Sequence, residues 1–366
     1  MRAWLGVSHT LRFGLLGSFQ PKPAIITLVP KGEYLQYGGQ AIIEGVMMRS
    51  PKHFSVAVRA PNGEIICQTE PLAKTWIGRQ KWLKLPFLRG SLALFDAMAL
   101  GIRAMTFASN IQLDPKYEKK EEGSETPEVA EQVASAEAEG MVQEGSPKSI
   151  NNIAVGATMA VGLGVGLLLF VLLPNVVGEQ LRHAGVSNER MLNFASGILK
   201  FVIFIGYVLL ISRMPDVKRV FKYHGAEHKA INVLEAEQEL TMENCKAQTR
   251  LHPRCGTSFV IVVLIIDVLS LTFVPRYLVA DVPYIINLLV RFGLNLAVLP
   301  IIAGIAYELI RLAGKFRHSG LVNALFWPGL MTQYITTAEP DEDQIEVAIT
   351  SLKACLVADE AARASA

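Results

Sequence analysis

Five residues, His224-Gly-Ala-Glu-His228, carry the side chains of this chain best suited to metal chemistry. On a helix, positions four apart lie about 5–6 Å apart at Cβ, so both imidazoles reach one divalent cation such as Zn2+. The glutamate beside them, Glu227, is then placed as the general base for a water that the cation polarises. A blander alternative treats His224 and His228 as two surface histidines of an amphipathic helix. The pattern is short, and residue frequencies alone produce it about once in a hundred chains like this one.

A catalytic zinc takes three protein ligands and keeps one position open. Glu308, His252 and Cys255 are the candidates for the third place, because the expected topology brings their stretches to the same end of the apolar helices. The order H-x-x-E-H is that of inverted zincins, whose third ligand is a downstream carboxylate, and this favours Glu308. Each has an ordinary alternative. His252 precedes Pro253 and suits a cap or a backbone hydrogen bond; Cys255 suits a small buried apolar role. Glu308 suits an i,i+3 pair with Arg311. Lys229, Arg250 and Arg254 fit lipid phosphates less well than plain charge bias beside a membrane.

Of 366 residues, 51% are apolar and 19% charged, and the mean hydropathy is +0.32. Those values lie on the apolar side of soluble domains, and the excess is gathered in runs, so an integral membrane protein is expected. A net charge of +2 is too small to argue for a nucleic-acid partner. Four scattered cysteines, Cys67, Cys245, Cys255 and Cys355, make no disulfide framework. The N-terminus shows no short apolar core with a cleavage site, so no removed signal is expected.

Four apolar stretches approach the ~20 residues that cross a bilayer: 153–174, 191–214, 258–275 and 285–312. Glycines 156, 162, 164 and 166 in the first invite close helix contact. Lys200 and Arg291 fit helix ends, where their heads snorkel, whereas Asp267 must face protein or water. Lysine and arginine crowd the 213–257 segment and follow the fourth stretch, which places both termini and the histidines on the cytoplasmic side of the inner (plasma) membrane.

The remaining organisation follows from texture. Residues 1–34 form a flexible extension. Residues 35–84 form a β-rich cytoplasmic unit, with an Asn62-Gly63 hairpin turn between alternating runs. An interfacial amphipathic helix (85–112) carries Arg89, Asp96 and Arg103 at seven-residue spacing. A disordered acidic linker (113–149) comes next. The four-helix membrane domain (150–337) follows, and then a cytoplasmic tail (338–366), acidic at first and helical around 344–357. Glu44 and Arg49 are expected to form a structural salt bridge, and His53 is assigned no role. The fold class is therefore a membrane α-helical domain with a small N-terminal β-rich unit. The lipid bilayer is the expected partner, with the β-rich unit and the linker as docking points for proteins.

Three strings in combination, Gly38-Gly-Gln-Ala-Ile-Ile-Glu-Gly-Val-Met-Met-Arg49, Tyr223-His-Gly-Ala-Glu-His-Lys-Ala230 and His252-Pro-Arg-Cys-Gly-Thr257, resemble the bacterial YqhQ-like membrane protein family. The resemblance covers about residues 35–337. It implies an inner-membrane protein of unknown function, sometimes labelled a predicted metal-dependent enzyme, and supplies no substrate. Two functions compete: a zinc-dependent hydrolase at the cytoplasmic membrane surface, and a non-catalytic membrane scaffold with a structural metal or none. A transporter rests only on Lys200, Asp267 and Arg291, without recognisable repeats. A membrane di-iron oxygenase needs about eight clustered histidines, and the chain has seven in all.

Overall fold

The computed structural model describes residues 37–72, 88–118, 161, 162, 164–315 and 319–365. The expected extension, nearly all of the acidic linker and the start of the first apolar stretch lie outside them. Four strands, β1 (Gly38–Ile42), β2 (Gly45–Arg49), β3 (His53–Arg59) and β4 (Ile65–Pro71), form an antiparallel sheet in chain order. The helices are α1 (Leu88–Leu113), α2 (Gly164–His183), α3 (Glu189–Ile211), α4 (Pro215–Glu235) and α5 (Met242–Ala247). They continue as α6 (Gly256–Thr272), α7 (Tyr284–Lys315), α8 (Gly320–Thr336) and α9 (Glu342–Ala364).

The sheet is covered on both faces. Ile42, Met47, Phe54, Val56 and Val58 bury against Leu100, Ala104 and Ala108 of α1. Val46, Met48, Ala57 and Cys67 turn the other way, against α4 and α9. This double burial is why β3 is apolar almost throughout instead of alternating. Its one inner hydroxyl, Ser55, donates to the Ser351 carbonyl of α9 at 2.6 Å. Asn62 and Gly63 do turn the chain between β3 and β4, in the loop 60–64, with Gly63 at φ 89.

The segment 338–366, expected as a tail that is helical around 344–357, does carry a helix there, α9, but that helix belongs to the core. Ile345, Ala348, Leu352 and Cys355 are fully or nearly fully buried there. An Asp341–Gln344 capping box starts that helix, and Lys222 and Lys246 pair with Asp341 and Glu342. Glu44 and Arg49 do not pair with each other. Arg219 holds Glu44, and Arg49 reaches Asp96 of α1 at 2.5 Å.

Among the described residues, three helices are long and apolar enough to cross a membrane: Gly164–His183, Glu189–Ile211 and Tyr284–Leu312. The third expected stretch, 258–275, yields α6, whose 17 residues rise only about 26 Å before Phe273 and Pro275 end it. Lys200 does not snorkel. It lies mid-way along α3 and binds Asp267 of α6 at 2.6 Å, which gives Asp267 the protein partner it needed. Close helix contact falls at other glycines than expected. A Cβ on Gly162, Gly164 or Gly166 meets nothing within 4 Å, whereas one on Gly197 would lie 2.6 Å from Val268.

Candidate metal centre

Helix α4 carries His224, Glu227 and His228, and it is no surface helix. Pro215 starts it, and from Tyr223 to Leu234 all but His224 and Asn232 are buried. The sheet lies on one side of it and α9 on another. At Gly225 it meets the Ala338 carbonyl so closely that a Cβ would sit 2.2 Å from that oxygen, so this position requires glycine.

Both imidazoles are turned the same way by backbone carbonyls. His224 donates from Nδ1 to Thr336 O at 2.9 Å, and His228 donates from Nδ1 to Arg250 O at 2.6 Å. The tautomer follows from the acceptor, since a carbonyl can only accept. Each Nε2 is thereby left as a bare lone pair. That of His224 lies 3.1 Å from Cys255 Sγ, while that of His228 is buried with no hydrogen-bond partner. The ligand atoms of His224, His228 and Cys255 all lie within 4.8 Å of one another. Tetrahedral zinc with bonds of ~2.1 and ~2.3 Å sets nitrogen and sulfur about 3.5 Å apart, so only a small adjustment is needed. Imidazoles pinned by their second nitrogen are the arrangement metal ligands require.

Cys255 is the N-cap of α6 and accepts from the Thr257 N–H at 3.4 Å, with the Thr257 hydroxyl at 3.1 Å. Burial pushes its thiol up, but His228 and Thr257 together outweigh this, and the net position is below the ordinary thiol range. Burial also holds the His228 imidazole below its usual range, which keeps it neutral and able to ligate. Glu227 is 4% exposed, its Oε2 has no partner, and burial pushes its carboxyl up to about 8 against the pull of His224. Gly39 of β1 packs on this side chain, and a Cβ there would lie 2.8 Å from Glu227 Cγ.

The other two candidate ligands stand apart from the trio. His252 is buried beside His228, with ring centroids 5.6 Å apart, but its Nε2 is 3.2 Å from Glu235, which also pairs with Arg254. Glu308 lies on α7, and its carboxylate is not among the converging atoms. Lys229 serves the fold: it donates to the carbonyls of Lys246 and Gln248 and pairs with Glu339. Arg250 donates to the Thr337 carbonyl. Gln333 of α8, fully buried, was not singled out from sequence. It accepts from the His252 N–H at 2.8 Å and donates to the His252 carbonyl and the Ser258 hydroxyl, which holds the 252–258 turn over α4. An amide within a mostly apolar helix was the available signal.

A helical protein with apolar spans, a four-stranded sheet and a His-His-Cys cluster between them is the class these features define. Residues 85–358 match the model of a family described as "Protein of unknown function (DUF1385)". The chain is 33% identical over 332 residues to "Uncharacterized protein YqhQ" of Bacillus subtilis (strain 168), covering 87% of this chain and 92% of that protein. This chain belongs to that family, and the relative confirms the resemblance read from the three strings. No solved structure matches it.

Proposed function

We propose that this protein is an integral protein of the inner membrane that holds zinc through His224, His228 and Cys255 at the cytoplasmic surface, and that the centre is a hydrolase site. The carrying observation is the pair of Nδ1–H bonds to Thr336 and Arg250 carbonyls, which aim both Nε2 lone pairs at the Cys255 thiol. Two imidazoles and a thiolate form a known zinc donor set that leaves a fourth position. Zinc bound there would supply Lewis acidity. The chain's own contribution is Glu227, a buried carboxyl beside the trio whose Oε2 has no protein partner and which can take up and hold a proton.

Membrane location is supported by the three apolar helices and by lysine and arginine gathered on the 213–257 side. With both termini on that side, the sheet and α9 lie in the cytoplasm and are the surfaces open to protein partners.

The second reading, a structural zinc in a scaffold, draws on the burial of His228, Cys255 and Glu227, at 1%, 5% and 4% exposure. Element-resolved mass spectrometry of detergent-purified protein tests binding: about one zinc per chain, lost from His224→Ala/His228→Ala, is expected. A wild-type protein without metal overturns both readings. Glu227→Gln then separates them. Retained zinc with lost cellular activity supports the hydrolase; unchanged activity supports the scaffold.

A further inference from the structure

Helix α1 presents two faces. Toward the sheet it buries Leu100, Ala104 and Ala108, and on that side Asp96, buried, pairs with Arg49, while Arg103 pairs with Glu70 at 2.6 Å and sits over the Phe54 ring. A second set of bulky apolar side chains turns away from the protein. Phe95, Met98 and Ile102 are 54%, 56% and 65% exposed, and Met105 continues the stripe. From Phe95 to Ile102 every exposed residue is apolar, and the next exposed residue, Arg103, is charged.

The helix also begins at an informative depth. Ser91 donates to the Pro300 carbonyl at 2.5 Å, and Gly90 fits against Gly304 and Tyr307. Pro300 is close to the middle of the candidate span Tyr284–Leu312. From Ser91 to Arg103 a helix rises about 18 Å, and half of a ~30 Å hydrocarbon core is about 15 Å. The exposed apolar stripe thus lasts about as long as one leaflet, and charge appears where the leaflet ends. Beyond it, Thr106, Ser109 and Asn110 with Gln40 line the polar end of a groove of about 450 Å3 whose apolar end is Met98, Ile102 and Met105.

From this match we infer that α1 is embedded in one leaflet, its Phe95–Met105 stripe against lipid acyl chains and its opposite face carrying the sheet. The inference rests on the membrane reading above and adds a lipid-facing element beyond the three spans. It fixes the sheet, and with it Gly39 and the His-His-Cys centre, against the bilayer surface.

Single nitroxide labels at Phe95→Cys, Met98→Cys, Ile102→Cys and Met105→Cys, in vesicles of phosphatidylcholine and phosphatidylglycerol, test this by power saturation with oxygen and a water-soluble nickel chelate. The four native cysteines are buried, which limits background labelling. Val202→Cys on α3 reports a span and Glu360→Cys on α9 reports water. Oxygen preference at all four α1 positions, increasing from Met105 toward Phe95, is expected. Nickel access equal to Glu360→Cys overturns the inference, and so do labels shielded from both reagents, which would mean a protein cover such as a second copy. If Val202→Cys reads as water too, the membrane reading itself has failed. Should a label prevent reconstitution, access of a membrane-impermeant maleimide to Met98→Cys in vesicles, before and after detergent, decides the same question: protection only in vesicles supports it, and equal reaction overturns it.

Discussion

Two histidine-bearing clusters flank the sheet, and they differ in what they leave undone. In the first, Asp359 of α9 accepts from Tyr37 at 2.8 Å, Ser50 at 2.8 Å and His53 Nδ1 at 2.6 Å. Its carboxylate is buried and engaged on both oxygens, and the cluster stitches the last helix to the strands. In the second, His228 Nε2 and Glu227 Oε2 are buried with nothing to bond. Burying a polar group without a protein partner costs about 1–3 kcal/mol, and here the two atoms lie beside the proposed zinc ligands. Satisfaction, more than residue type, separates the histidine that builds from the histidines proposed to bind.

The sharpest way to break this contrast is to strip the proposed zinc. Chelation should lower the thermal midpoint of the wild type in detergent and leave His224→Ala/His228→Ala unmoved. At zinc a thousand-fold above its dissociation constant the linkage is about 4 kcal/mol. A chelator without effect on wild-type melting would erase the distinction between the clusters.

Asp359→Ala comes next. It leaves three donors facing a hole and should cost about 3 kcal/mol in denaturant titration, with zinc content unchanged. Zinc loss in that variant would show the clusters to be one unit. Gly39→Ala should cost about 1–3 kcal/mol, because its Cβ meets both Glu227 and the Met47 carbonyl. The proton-linked effect at Glu227 is read as a slope of stability against pH. Its carboxyl is raised by burial to about 8 in the fold from an ordinary 4.5. The folded protein therefore binds the extra proton between those values, and metal-free protein should lose stability as pH rises through that window. Glu227→Gln should flatten the slope; an unchanged slope would place the titration elsewhere.

Much of the centre was legible before any coordinates. The four-residue spacing of His224 and His228 and the nearby Cys255 point to a shared cation, because one helical turn fixes their separation. Which of Cys255, His252 and Glu308 stands beside the two imidazoles was not legible. It depends on Gln333, which sets the 252–258 turn, and on Glu235, which engages His252. Those bonds join residues 17 to 81 positions apart, and no periodicity records them. Asp267 shows the same division: its need for a partner follows from its apolar run, while Lys200 as that partner comes from the packing of α3 on α6.

Local chemistry in the chain dictated the helical and extended segments, the apolar runs and the pair of imidazoles, since each depends on neighbours within a turn or a pleat. Long-range packing alone settled that α4 is buried between sheet and helices, that α9 is a wall and not a tail, and that α1 shows an apolar side outward. Those outcomes depend on which surfaces meet, and a surface carries no record of its partner until the chain has closed on itself.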